Sequence, residues 1–99
     1  MAESFSKIQK LFALVWLINR GGDGAMSTLS RERYRCVLAQ GEVCDVRINV
    51  WRSLVEYGCC EFYDRNTRIR VTPEGYKEKL SGIEEAPSRV TEDNNGEDV

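Results

Sequence analysis

Asp45-Val46-Arg47-Ile48-Asn49-Val50-Trp51-Arg52-Ser53-Leu54-Val55-Glu56-Tyr57, followed at once by Gly58, is the stretch that decides how this chain folds. Asp45 can accept from the free backbone N–H groups of a first helical turn, and Gly58 can end the helix in the left-handed conformation that side chains resist. At about 100° per residue, Val46, Ile48, Val50, Trp51, Leu54 and Val55 share one broad side, leaving Asn49, Arg52, Ser53 and Glu56 on the other. The spacing predicts a helix over 45–57 with an apolar back and a polar, partly cationic front.

After Gly58 the apolar period drops to two. Residues 59–64 and 67–72 alternate as strands of a hairpin, with Arg65-Asn66 as the turn or, since arginine suits its first position poorly, a longer loop. That register sets Cys60 against Val71 and Phe62 against Ile69 on one side, and Glu61 against Arg70 and Tyr63 against Arg68 on the other. Such cross-strand pairs contribute roughly 0.2–1 kcal/mol each. Thr72-Pro73-Glu74 then opens another helix with a capping hydroxyl, a proline where the missing N–H costs nothing, and an acid at the positive end. Tyr76 and Leu80 are expected to face inward, and Gly82 to end it.

Upstream, Ser4 can cap a first helix that runs to about Asn19 and stops at Gly21-Gly22. Phe5, Ile8, Leu11, Phe12, Val15 and Ile18 form its core face. Leu14, Trp16 and Leu17 widen the stripe, a surplus that either the core or a second copy of the chain must cover; a homodimer is the expectation. Residues 25–27 suit a short strand. A second helix is expected over 29–39, with Leu29, Tyr34, Val37 and Leu38 inward and Arg31, Arg33 and Arg35 outward, closed by Gln40-Gly41-Glu42. Two short helices joined by a glycine-containing turn make a helix-turn-helix candidate.

The formal net charge of −2 is unevenly spread. Residues 84–99 hold six acids and one arginine, which leaves residues 1–83 at +3. One domain over 1–83 and an acidic disordered tail over 84–99 are expected. With no histidine and with cysteines at 36, 44, 59 and 60, no zinc spacing is present. The thiols are read as ordinary semi-buried groups, with a disulfide as the alternative. No phosphate-loop motif and no nucleophile-and-base pairing occur, so neither a cofactor nor an enzyme is expected, and no ligand pocket is evident. The start Met1-Ala2-Glu3-Ser4 lacks a basic leader, and no apolar run approaches the ~20 residues of a membrane span. A cytoplasmic protein is expected.

The order helix, strand, helix, helix, strand, wing, strand, helix resembles the winged helix-turn-helix regulators of the MarR and PadR type. Small winged-helix proteins of archaeal viruses are similar in length and layout. The motifs that carry the likeness are Tyr57-Gly58-Cys59-Cys60-Glu61-Phe62 and Arg68-Ile69-Arg70-Val71-Thr72-Pro73-Glu74-Gly75. In those families a Leu/Val-Thr-x-x-Gly turn follows the second wing strand, where this chain has Val71, Thr72 and Gly75. The resemblance implies an α+β winged helix with a three-helix core, a β-hairpin wing and a short C-terminal helix.

Its function would be sequence-specific binding of double-stranded DNA, as a transcriptional regulator, with 45–57 in the major groove and the wing beside it. Asn49 suits an adenine edge, Arg47 or Arg52 a guanine edge or a phosphate, and Ser53 a phosphate. Arg65 and Arg68 would meet backbone or minor groove, and Arg31, Arg33 and Arg35 phosphates. The alternative is a winged-helix protein-interaction module that binds no DNA.

Overall fold

The computed structural model describes residues 7–90 as an α+β arrangement of three helices and one open, six-stranded antiparallel sheet. Its elements are α1 (Lys7–Asn19), β1 (Asp23–Ser27), β2 (Cys36–Ala39), β3 (Glu42–Cys44), α2 (Ile48–Glu56), β4 (Cys60–Tyr63), β5 (Arg68–Val71), α3 (Pro73–Tyr76) and β6 (Ser88–Val90). The strands lie in the order β4-β5-β1-β2-β3-β6.

The hairpin forms in the expected register, with Cys60 opposite Val71, Glu61 opposite Arg70, Phe62 opposite Ile69 and Tyr63 opposite Arg68. Its turn closes where the Thr67 N–H donates to the Asp64 carbonyl at 3.1 Å. Asp64, Arg65 and Asn66 all hold positive φ, 55°, 58° and 64°, and the strands pair only as far as Tyr63 and Arg68, so the link is a four-residue loop over 64–67 rather than a two-residue turn. Glu61 and Arg70 pair at 2.6 Å. Arg68 meets Tyr63 through its hydroxyl, 2.9 Å from Nε, and lies over its ring at 6.0 Å, while the diagonal Arg70 lies closer, 4.3 Å from the centroid. The far edge of β5 is taken by β1, so the hairpin is part of the sheet.

The helix expected over 29–39 is absent. Ser30 closes the β1–β2 loop instead, its Oγ accepting from the Tyr34 N–H and donating to the Tyr34 carbonyl, both at 2.9 Å. Arg33 sits at φ 64°, which a helix does not admit, and the chain then enters β2. Gln40 (φ 52°) and Gly41 (φ 79°) turn β2 back into β3, placing Val37 opposite Cys44. Pairing of β2 with β1 overrides the weak helical spacing of Tyr34, Val37 and Leu38. No helix-turn-helix pair is present among the described residues.

α2 starts three residues later than expected. Arg47 is its N-cap, with no side-chain capping bond. Asp45 is engaged elsewhere: its N–H donates to the Pro87 carbonyl at 3.4 Å and its carbonyl accepts from the Tyr34 hydroxyl. The other end follows expectation, with Gly58 at φ 83°, Gly58 N–H on the Val55 carbonyl at 3.0 Å and Cys59 N–H on the Leu54 carbonyl at 2.9 Å. These are the two bonds of a Schellman stop.

α1 is enclosed by β1 and β5 on one side and by α2 on the other. Ala13, Leu14, Trp16 and Leu17 are fully buried, and Trp16 meets Trp51 edge to face at 6.4 Å. The apolar surplus assigned to a second copy is therefore covered within one chain. Of the expected core face, Leu11 is buried while Phe12 and Ile18 pack partly buried against the cluster. Ser4, Phe5 and the Ile8 side chain lie outside what is described.

Thr72 caps α3 as expected, accepting from the Gly75 N–H at 3.1 Å. The helix nevertheless ends at Tyr76, whose side chain is 53% exposed rather than inward, and the chain turns back toward the sheet. Gly75 is fixed by close approach: a Cβ there would sit inside contact distance of the Cys59 carbonyl and 2.7 Å from Val71 Cγ1. Backbone cannot step aside as a side chain can, so Gly75→Ala is expected to cost about 1–3 kcal/mol in a urea melt. Equal midpoints for Gly75→Ala and the wild type would show that the helix relaxes freely.

The fold also extends past its expected boundary after Ile83. Ala86 is buried in the core, its N–H on the Phe12 carbonyl at 3.1 Å, and β6 pairs with β3. Residues 84–90 are thus folded, and the rest of the expected tail, 91–99, lies outside the described residues. No described helix is long and apolar enough to cross a membrane.

Candidate nucleic-acid interface

Strand directions bring four separate segments to one end of the sheet. The β1–β2 loop leaves β1 at Ser27, opposite Cys36. The β4–β5 turn lies beside it, because Ala25 pairs with Arg68 and the Met26 N–H donates to the Thr67 carbonyl at 2.9 Å. β3 ends there at Cys44, opposite Val37, and delivers Arg47 and the start of α2. β6 begins there too, with Ser88 opposite Cys44.

The loop, the turn and the β3–α2 connection hold five arginines, Arg31, Arg33, Arg35, Arg47 and Arg65, against three acids, Glu32, Asp45 and Asp64. Arg31, Arg33, Arg35, Arg52 and Arg65 are exposed and carry no ion pair among the described residues. Arg47 lies over the Tyr34 ring at 4.4 Å and pairs with Glu32 at 2.8 Å, with both partners mostly in solvent. Asn49 and Arg52 stand on the solvent side of α2, one turn apart, and Ser53 is half-buried beside them.

Arg68 is committed differently. It pairs with Asp23 at 2.7 Å and shares that carboxylate with the Tyr63 hydroxyl, bracing β1 to the hairpin. Burial pushes the Asp23 carboxyl up, but its bonds from Tyr63 and Arg68 outweigh that and hold it below the ordinary range. Helical spacing places Tyr34 inward, and nothing in the sequence around Arg89 marks it. Tyr34 instead carries Arg47, and Arg89 reaches back from β6 to the Leu29 carbonyl and to Asp45. No local pattern marks Arg89, because its partners are remote in sequence.

The opposite end is held by Arg20, which pairs with Glu42 at 2.7 Å and Glu85 at 2.8 Å while lying over Trp16 at 4.5 Å. β6 runs toward that end, with Val90 opposite Glu42. All four cysteines are buried free thiols. Burial pushes Cys44 and Cys60 up to about 12, which leaves little thiolate for reaction or ligation. Among the described residues no group of three or more metal-binding side chains comes together. A half-open pocket of about 320 Å³ is lined by Phe12, Tyr34, Val46, Arg47, Val50 and Pro87, a feature the sequence did not suggest.

Compared with known proteins, the chain matches no family model, no curated protein and no solved structure.

Proposed function

We propose that this protein binds double-stranded DNA through the arginine-bearing end of its sheet, with the polar side of α2 facing the major groove. α1, β1, α2 and the β4–β5 hairpin are read as a winged-helix frame in which the β2–β3 hairpin replaces the second helix. The observation that supports the reading is the convergence of Arg31, Arg33, Arg35, Arg47 and Arg65 from three segments onto one end. Four of these guanidiniums, all but that of Arg47, are exposed with no ion pair among the described residues, which suits them to phosphates. α2 has nine residues, about 13 Å of helix, and a major groove about 12 Å wide admits it. Asn49 and Arg52 can then reach base edges while the loop and the turn straddle the backbone.

Binding of labelled duplex followed by anisotropy across a salt series tests this. Affinity is expected to fall steeply with salt, and Arg31→Gln/Arg33→Gln/Arg35→Gln to lower the log–log slope by roughly 2–3. Asn49→Ala and Arg52→Ala should each cost about 1–3 kcal/mol of sequence discrimination and leave the fold intact. A protein-docking role is the second reading, favoured by the ion pairs that already occupy Arg47 and Arg68. Absence of any salt-dependent duplex binding would decide for it.

A further inference from the structure

We infer that Arg89 is a positioning residue for the arginine end, the pin that holds the β1–β2 loop against the start of α2; the inference rests on the nucleic-acid reading above. Arg89 stands in the middle of β6, opposite Val43. From there its Nη2 donates to the Leu29 carbonyl and its Nε lies 3.4 Å from Asp45 Oδ2. Leu29 belongs to the loop that carries Arg31, Arg33 and Arg35, and Asp45 stands two residues before Arg47. One guanidinium therefore touches, from β6, both the β1–β2 loop and the connection into α2.

Its burial separates it from the surface arginines. The Arg89 side chain is 19% exposed and that of Asp45 28%, against 60% and 68% for the Arg47–Glu32 pair that also links loop to helix. An exposed pair contributes little in water, so of these two ion pairs the less exposed carries more of the restraint, beside the bond of the Tyr34 hydroxyl to the Asp45 carbonyl. Among the described residues Nε of Arg89 and Oδ1 of Asp45 are both buried without a hydrogen bond, so charge contact rather than a fitted bond holds this pair. With its head turned inward, Arg89 is not placed to meet a phosphate. Its effect on binding acts through the arginines of the loop, whose ordering otherwise has to be supplied when DNA binds.

Arg89→Met keeps the apolar stem in β6 and removes the guanidinium; Arg89→Lys keeps the charge but lacks the fork that faces two acceptors. Duplex affinity of Arg89→Met is expected to fall about tenfold with the salt slope unchanged, and Arg89→Lys to recover only part of it. Amide exchange should quicken for Arg33 and Tyr34 and stay unchanged for the α1 and β5 core. A slope lower by about one would make Arg89 a direct phosphate contact and overturn the inference. Unchanged affinity and loop exchange would overturn it as well, and faster exchange throughout the core would reduce Arg89 to a general support of the fold. Should the wild-type protein bind no duplex while loop exchange still quickens in Arg89→Met, the nucleic-acid assignment fails and Arg89 is only a loop pin.

Discussion

Trp51→Ala is expected to lower folding stability by about 3–5 kcal/mol, the cost of emptying a large aromatic site in a closed core. Trp51 has no exposed surface and rests edge-on against Trp16, which is equally enclosed. α1 and α2 meet at this pair, so neighbours on both helices are themselves held and cannot collapse into the space. In a chain of 99 residues such a loss should lower the melting temperature by at least about 12 °C. Trp51→Phe is the informative companion. The Trp51 indole Nε1 is buried with no hydrogen-bond partner among the described residues, so phenylalanine removes an unsatisfied donor together with part of the ring. It should cost less than half of the alanine change. A Phe variant as unstable as the Ala variant would mean that the indole N–H is bonded.

That pair also shows how far one-dimensional pattern reading reaches. Trp51 and the apolar back of α2 were legible because helical spacing is local, and so was the hairpin, where charge and ring pairs agreed with a single register. Thr72 and Gly58 were legible for the same reason, since caps and stops are settled within a few residues. α1 was found but its buried side was misjudged. Periodicity ranks faces by hydrophobicity, whereas burial here depends on the sheet and α2 closing around Leu14, Trp16 and Leu17 together.

The β2–β3 hairpin was missed although a signal existed. Gln40-Gly41 between Val37-Leu38-Ala39 and Glu42-Val43-Cys44 is a two-residue link flanked by short apolar runs, and glycine suits its second, left-handed position. Reading Tyr34, Val37 and Leu38 as helical gave priority to three weak spacings over that turn. β6 offered no comparable signal. Ser88-Arg89-Val90 is too short and too polar to read as a strand, and its place depends on an edge of β3 that the sequence reading did not contain. The candidate site divides along the same line: its arginines could be named from the sequence, whereas the pin that fastens their loop could not.

At the far end of the sheet, Arg20→Ala is expected to destabilise the protein by about 2–4 kcal/mol, since it removes charge-assisted bonds to two carboxylates at once. The loss is smaller than for a fully buried triad because Glu42 and Glu85 each leave about a third of their side chains in water, 35% and 38%, where ion pairs are screened. Arg20 itself is only 11% exposed, donates to the Trp16 carbonyl at 3.0 Å and lies over the Trp16 ring. Arg20→Met keeps the stem over the ring and removes the charge, so its difference from Arg20→Ala isolates packing. The pH dependence identifies the ion pairs. Bonds from Arg20 and then from Asn19 hold the Glu85 carboxyl down to about 2 from its ordinary 4.5, and bonds from Arg20 and Ser88 also lower that of Glu42. A carboxyl lowered in the folded state stabilises it above the unfolded value, so this contribution is complete above about pH 4.5 and is lost as the pH falls toward 2. Urea midpoints measured from pH 7 to pH 2.5 should therefore fall more steeply for the wild type than for Arg20→Met. Parallel acid limbs in the two proteins would show that Glu42 and Glu85 stay fully hydrated and that Arg20 acts through Trp16 alone.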